Sequence, residues 1–245
     1  MEYNIIDNIV YEDDNLLVVN KLSNMPTVPL KKGPTRFTLL DAISLYCPAV
    51  KSFDGYNSYE GGVLHRLDTP TSGLVLVAKN KKSFDFLYEE QKKNNFEKKY
   101  LVKASKRGIL LDGFYQFPYK DYEKENPVIV KSFFRHYGKG HKSVRPVLPD
   151  YSKKILDKTN KKYYETSVSF LKKDDEGIYY FLCSLTNGFR HQIRAHLAWG
   201  GYPLLGDVLY GGKESDEFGL NCVSIQFTNP ETKKIQIVNL KDDNS

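Results

Sequence analysis

The stretch Leu64-His65-Arg66-Leu67-Asp68-Thr69-Pro70-Thr71-Ser72-Gly73 runs directly into the apolar Gly73–Ala78 (GLVLVA). A short apolar run bounded by turn residues reads as a buried strand. The chain must therefore deliver a cation, a carboxylate and three hydroxyls to the end of a strand inside the core. Loops held on rigid strands are where binding and catalytic groups concentrate. A plainer account also fits. Asp68, Thr71 and Ser72 are residues that close turns on their own backbone N–H groups.

Two further segments carry polar groups in a defined setting. Asn187-Gly188-Phe189-Arg190-His191-Gln192-Ile193-Arg194-Ala195-His196 reads as a turn entering a helix over 190–199, closed by Gly200-Gly201. Arg190, His191 and Gln192 stand at the helix start as donors for phosphate or carboxylate. Arg190 and Arg194 are four apart and project together. Ile193, Leu197 and Trp199 turn the other face to the core, although a solvated basic face is the simpler alternative for the arginines. His191 and His196 are five apart and do not share a face as an i, i+4 metal pair does, so no metal is expected. In Glu97-Lys98-Lys99-Tyr100-Leu101-Val102 the pattern alternates as in a strand. Tyr100 there is either a packed strand tyrosine or an aromatic platform.

Composition narrows the class. With 245 residues, 40% apolar and 27% charged, the chain has an ordinary globular composition and the length of one large domain or two small ones. No apolar run approaches the ~18–20 residues of a membrane span. The opening MEYNIIDNIVYEDD has acids and no apolar core, so no secretory signal is expected. Cys47, Cys183 and Cys222 are widely spaced, which argues against a disulfide framework or a zinc ribbon and for the reducing cytoplasm.

The net charge of +6 is concentrated. Residues 139–162 hold Lys139, Lys142, Arg145, Lys153, Lys154, Lys158, Lys161 and Lys162 against Asp150 and Asp157, which accounts for all of it. Such a stretch suits a polyanion such as nucleic acid; a solvated Lys-rich loop is the alternative.

Elements alternate along the chain. Strands are expected at 16–20, 73–78, 98–104, 163–171, 177–185, 222–228 and 234–240, and helices at 38–46, 82–93 and 190–199. Hairpins are expected about 172–176 and 229–232. Residues 106–162 read as the least regular part, because Pro118, Pro127, Pro146 and Pro149 interrupt any long element. Hairpins mixed with a few helices indicate an α+β fold rich in antiparallel pairing.

Taken together, HRLDTPTSGLVLVAK, EKKYLV and GFRHQIRAHL followed by GYPLLGDVLYG, in this order and spacing, resemble the RluA-type pseudouridine synthases. The opening IVYEDDNLLVVNK resembles the start of that family's catalytic domain, and the likeness runs from about residue 9 to about residue 240. It implies a mixed, mostly antiparallel bent sheet flanked by helices around a central active-site cleft. It also implies a single catalytic domain, residues 1–245, with no metal and no cofactor; many relatives carry an S4-type domain ahead of the catalytic part, and with the likeness starting near residue 9 none is expected here. Asp68 would be the catalytic aspartate, Tyr100 the tyrosine packed on the base, and Arg194 the basic residue paired with the aspartate. Arg66 would help displace the target nucleotide, with His65, Arg190, His191 and Gln192 as further RNA contacts. The implied substrate is rRNA or tRNA, and the implied form is a cytoplasmic monomer.

The reaction needs such groups. Chemistry on a stacked base requires flipping it out, at a cost of a few kcal/mol. Breaking a glycosidic bond develops positive charge on the sugar, which a carboxylate stabilises or attacks. One departure stands out: Phe189 occupies the position where the family usually has arginine, and Arg190 the position of its small hydroxyl residue. Two rival readings remain at this stage: a noncatalytic RNA-binding protein on the same fold, and a carboxylate-dependent hydrolase. The hydrolase would want a second, paired acid, whereas Glu12–Asp14 and Asp174–Glu176 lie in polar turns.

Overall fold

A computed structural model describes residues 4–29 and 36–241. In chain order the elements are β1 (Ile9–Glu12), β2 (Leu16–Lys21), α1 (Leu39–Tyr46), β3 (Ser72–Ala78), α2 (Lys81–Lys92), β4 (Glu97–Ser105), β5 (Val128–Tyr137), β6 (Ser143–Val147), α3 (Lys153–Leu156), β7 (Tyr164–Lys173), β8 (Ile178–Leu185), α4 (Gln192–Trp199), β9 (Leu220–Thr228) and β10 (Ile235–Asn239). They fall into two compact units: the chain up to Lys98 together with Asn221 onward, and Lys99–Leu220.

In the first unit the strand order is β1-β2-β3-β9, with β10 also on β9. β2 and β3 pair antiparallel from Leu16↔Ala78 to Lys21↔Gly73. β3 and β9 run parallel, with Gly73 opposite Cys222, so this sheet is mixed. β3 lies between two neighbours and is buried from Gly73 to Ala78, which is why its sequence is uninterrupted rather than alternating. Each aliphatic side chain buried there contributes roughly 1.5–3 kcal/mol. Gly73 has φ +110°, and a Cβ there would lie 2.3 Å from the Cys222 carbonyl oxygen. Only glycine satisfies both that backbone and that approach. α1 begins in a capping box: Thr38 accepts from the Asp41 N–H and Asp41 accepts from the Thr38 N–H. α2 begins at Asn80, which accepts from the Ser83 N–H, and buries Phe84 and Leu87.

In the second unit the strand order is β4-β8-β7-β5-β6, and β8-β7, β7-β5 and β5-β6 are antiparallel pairs. Every residue of α4 is buried. Ala195 and Ala198 of this helix pack with Phe134, Val144 and Tyr210. His196 fixes the helix to two strands, hydrogen-bonding Ser132 Oγ of β5 and Thr166 Oγ1 of β7, each at 2.9 Å. Burial pushes this imidazole down to about 3, so it is neutral.

Two expectations are corrected here. Residues 106–162 contain regular structure: β5 alternates buried and outward residues over ten positions, and β6 pairs with it. Pro146 is compatible because β6 is the end strand of the order, where one face of the ladder needs no donor. The helix expected from Arg190 begins at Gln192; His191 is its N-cap with left-handed backbone, φ 56°, so Arg190 belongs to the preceding turn.

Candidate active site

In the first unit the Asp68 loop is held from outside by the segment that follows β2. Thr27 Oγ1 donates to the Leu67 carbonyl at 2.9 Å and accepts from the Leu67 N–H at 3.1 Å. Ser23 Oγ donates to the Pro70 carbonyl at 2.6 Å. Lys21, with no exposed surface, donates from Nζ to the carbonyls of Leu22, Met25 and Thr69 at 2.9, 2.7 and 3.2 Å. The loop closes on itself through the Thr71 N–H to the Asp68 carbonyl at 3.0 Å. Both backbone flanks of Asp68 are thus fixed, while the aspartate remains half-buried. Burial lowers the Lys21 ammonium to about 8, and the negative charge of Asp68 opposes that shift.

The neighbours of Asp68 divide by task. Arg66 is exposed, and its Nη1 lies 2.7 Å from Oε1 of the buried Glu60. His65 points the other way. Its Nε2 accepts from the Leu76 N–H at 3.2 Å, its ring meets Phe96 edge-on, and its Nδ1 is shut off from water. Loss of hydration, followed by the nearby Lys98 charge, holds its pKa well below the ordinary histidine value. The neutral ring thus ties the loop to the β3 backbone.

In the second unit Tyr100 lies on the inward face of β4, where alternate residues are buried. Arg194 is buried in α4 and clasped by Asp207: Nε donates to Oδ2 at 2.7 Å and Nη2 to Oδ1 at 2.8 Å. The Tyr210 and Phe218 rings lie 5.1 and 5.3 Å from its guanidinium carbon. A two-pronged ion pair of this kind fixes the plane of the guanidinium as well as its charge. His191 Nδ1 is 3.1 Å from the Tyr210 hydroxyl. Gln192 is buried; it donates to the Glu165 carbonyl and Thr166 Oγ1 and accepts from the Phe189 N–H. Its amide therefore ties α4 to β7.

The departure at Phe189 has a structural counterpart. Phe189 stacks on Phe134 of β5 with ring centres 5.1 Å apart and planes 8° apart, and it also meets Tyr164. An apolar plug fills the position. Arg190 reaches instead to the β5–β6 turn, donating to the His141 and Lys142 carbonyls, both at 2.9 Å. Within the basic segment 139–162, Arg145 is excluded as a surface contact. It is buried, bonded to the Asp112 and Val144 carbonyls and Ser143, and sandwiched near Phe114 and Tyr137.

Reasoning from the sequence missed Lys21, Thr27, Glu60 and Asp207. Asp207 carried a visible signal, a lone acid in GYPLLGDVLYG thirteen residues after Arg194. Among the described residues no group of three His, Cys, Asp or Glu side chains is arranged to hold a metal, and no helix is long and apolar enough to cross a membrane.

The loop carrying His-Arg-Leu-Asp ahead of the buried strand β3 and the α4 arginine both sit within residues 15–199, which match the family model for RNA pseudouridylate synthase; the chain belongs to that family. Among curated relatives, an uncharacterized RNA pseudouridine synthase of Mycoplasma capricolum is 30% identical over 222 residues, covering 88% of this chain and 64% of its own length. Ribosomal large subunit pseudouridine synthase D of Buchnera aphidicola subsp. Schizaphis graminum is 31% identical over 213 residues, covering 85% and 56%. The chain thus spans 56–64% of the length of these relatives. In fold it is similar to human RNA pseudouridylate synthase domain containing 1, with a TM-score of 0.67 and 21% identity over 99% of this chain and 86% of that one.

Proposed function

We propose that this chain is an RNA pseudouridine synthase that isomerises uridines in structured rRNA or tRNA, with Asp68 as its catalytic group. The observation that carries the reading is the fixed loop: Thr27, Ser23 and Lys21 hold the backbone on both sides of a carboxylate that stays within reach of solvent. A preorganised carboxylate suits a step in which positive charge develops on a sugar. In that step the C1′–N1 bond breaks, uracil turns, and a C1′–C5 bond forms. The C5 hydrogen leaves as a proton to water and N1 ends protonated, so no co-substrate is consumed.

Arg66, exposed and two residues from Asp68, is assigned to displacement of the target nucleotide, and Tyr100 to packing on the base. Arg194 is assigned the family's basic role. The relatives' names point to ribosomal RNA as the first substrate to try. The enzyme is assigned to the cytoplasm, where three free cysteines stay reduced, and to a monomeric state that light scattering tests directly.

Tritium release tests the activity. RNA labelled at C5 of uridine, taken from cells lacking the gene, is incubated with the protein in EDTA. The expected result is stoichiometric release from the rRNA or the tRNA fraction. RNA binding without release from either fraction would favour a noncatalytic RNA-binding protein on this fold.

A further inference from the structure

The turn joining β5 and β6 is unusual in both backbone and charge. Gly138, Gly140 and His141 all have left-handed φ values, 78°, 69° and 54°. The tip is closed by one internal bond, the His141 N–H to the Gly138 carbonyl at 3.1 Å, just beyond the last β5–β6 pair, Tyr137↔Ser143. Arg190 adds a second hold: its two terminal nitrogens donate to the consecutive carbonyls of His141 and Lys142. One residue earlier, Phe189 stacks on Phe134 of β5. The turn before α4 and the hairpin are therefore fastened twice, once by an aromatic contact and once by a guanidinium.

The fastened tip displays uncompensated positive charge. Lys139, His141 and Lys142 are exposed. The His136 and His141 rings stack with centres 5.4 Å apart. Burial first, and then the neighbouring His141 and Arg190, hold the His136 pKa below the ordinary histidine value. Several exposed lysines elsewhere on the chain rest on carboxylates, among them Lys51 on Asp41, Lys81 on Asp85, Lys131 on Glu165 and Lys161 on Asp157. Among the described residues no acid pairs with Lys139, His141, Lys142 or Arg190. Like charges held together at a fixed tip raise the local potential and favour a polyanion. Immobilising them in advance removes part of the ordering cost of binding.

We propose that the Gly138–Lys142 tip contacts the phosphate backbone of the RNA substrate, and that Arg190 is its positioning residue, acting through the loop carbonyls rather than by touching RNA. The proposal rests on the RNA-modifying reading above. It narrows the basic segment 139–162 to one loop and gives Arg190 an indirect task.

The test is the salt dependence of binding to end-labelled rRNA fragments and bulk tRNA. Lys139→Ala/Lys142→Ala removes two exposed cations and leaves the fold intact. The expected result is weaker binding, with the slope of log K against log salt shallower by about 2. The α3 control Lys153→Ala/Lys154→Ala leaves binding and slope near wild type. Arg190→Ala weakens binding in the wild-type background but adds little in the Lys139→Ala/Lys142→Ala background, because both act through one loop. Arg190→Lys restores part of the affinity, since one ammonium reaches one of the two carbonyls.

An unchanged slope in the double-lysine variant would overturn the contact. Fully additive losses would overturn the positioning role and make Arg190 a direct ligand. Failure of the underlying reading looks different: wild-type protein that neither binds these RNAs nor releases tritium from them.

Discussion

Arg66 ends on Glu60. The guanidinium is 59% exposed, yet its ion-pair partner, 2.7 Å away, is a carboxylate only 3% exposed. A cation assigned to work on RNA is thus anchored to a negative charge that cannot leave the interior. Because the contact uses one nitrogen, the other donors of the fork remain for RNA. Removing Arg66 strands the carboxylate. Arg66→Ala is expected to lower unfolding free energy by about 1–3 kcal/mol, and Glu60→Gln in the same chain to restore most of it. Glu60→Ala alone is expected to slow pseudouridine formation while leaving RNA affinity near wild type, with no further slowing in an Arg66→Ala background. Urea unfolding and single-turnover rates check both statements. Equal slowing in the two backgrounds would mean that Glu60 does not act through Arg66.

Lys21 holds the Asp68 loop with a buried ammonium whose pKa is lowered to about 8. Its unfolded value is near 10.4. The folded state therefore carries a penalty for the charged form below pH 8, relieved as pH rises toward the unfolded value. Stability is expected to rise between pH 8 and 9.5, and Lys21→Met is expected to flatten that rise. Lys98 also titrates at about 8, so the difference between wild type and Lys21→Met isolates Lys21. At pH 7 the substitution leaves three carbonyls without their donor and costs about 1–3 kcal/mol. Urea midpoints across this pH range are the measurement; an identical pH slope in both proteins would contradict the assignment.

Arg194 and Asp207 are both almost fully buried, at 7% and 1% exposure. Breaking a buried pair by removing one partner typically costs 3–5 kcal/mol. Asp207→Asn is expected to approach that loss and to reduce tritium release by at least tenfold in the protein that remains folded. Arg194→Lys is not expected to rescue function, because an ammonium cannot reproduce the two-pronged contact. Calorimetry with activity assays on the same samples decides the matter.

Phe189 makes a separate prediction. Restoring the family's usual arginine by Phe189→Arg removes a ring stacked on Phe134 and directs a charge at the cluster around Phe134, Val144 and Tyr210. Stability is expected to fall by about 1–3 kcal/mol with no gain in rate. A faster enzyme of unchanged stability would show that the position is a ligand site and not a packing site.

Much of this was legible in the sequence, for physical reasons. β2 and β3 announced themselves because strands buried on both faces are uninterrupted apolar runs, and α1 and α2 because their apolar residues fall at helical spacing. β5 was missed although Val128, Val130, Ser132 and Phe134 alternate inward. Pro118, Pro127, Pro146 and Pro149 made the whole stretch read as broken, although none of them falls inside β5. The start of α4 was misplaced because His191 adopts a left-handed conformation that no local pattern specifies. Asp68, Arg66 and Arg194 stood out through their motifs. Their supports did not, since the bond from Thr27 to Leu67 spans forty residues and Asp207 meets Arg194 only across a turn.

The central claim is that Asp68 performs the chemistry. The most direct test is tritium release under single-turnover conditions by wild type and Asp68→Asn, with RNA affinity measured on the same preparations. The account predicts release by wild type, none by Asp68→Asn, and closely similar RNA affinities. Comparable release by Asp68→Asn would contradict it.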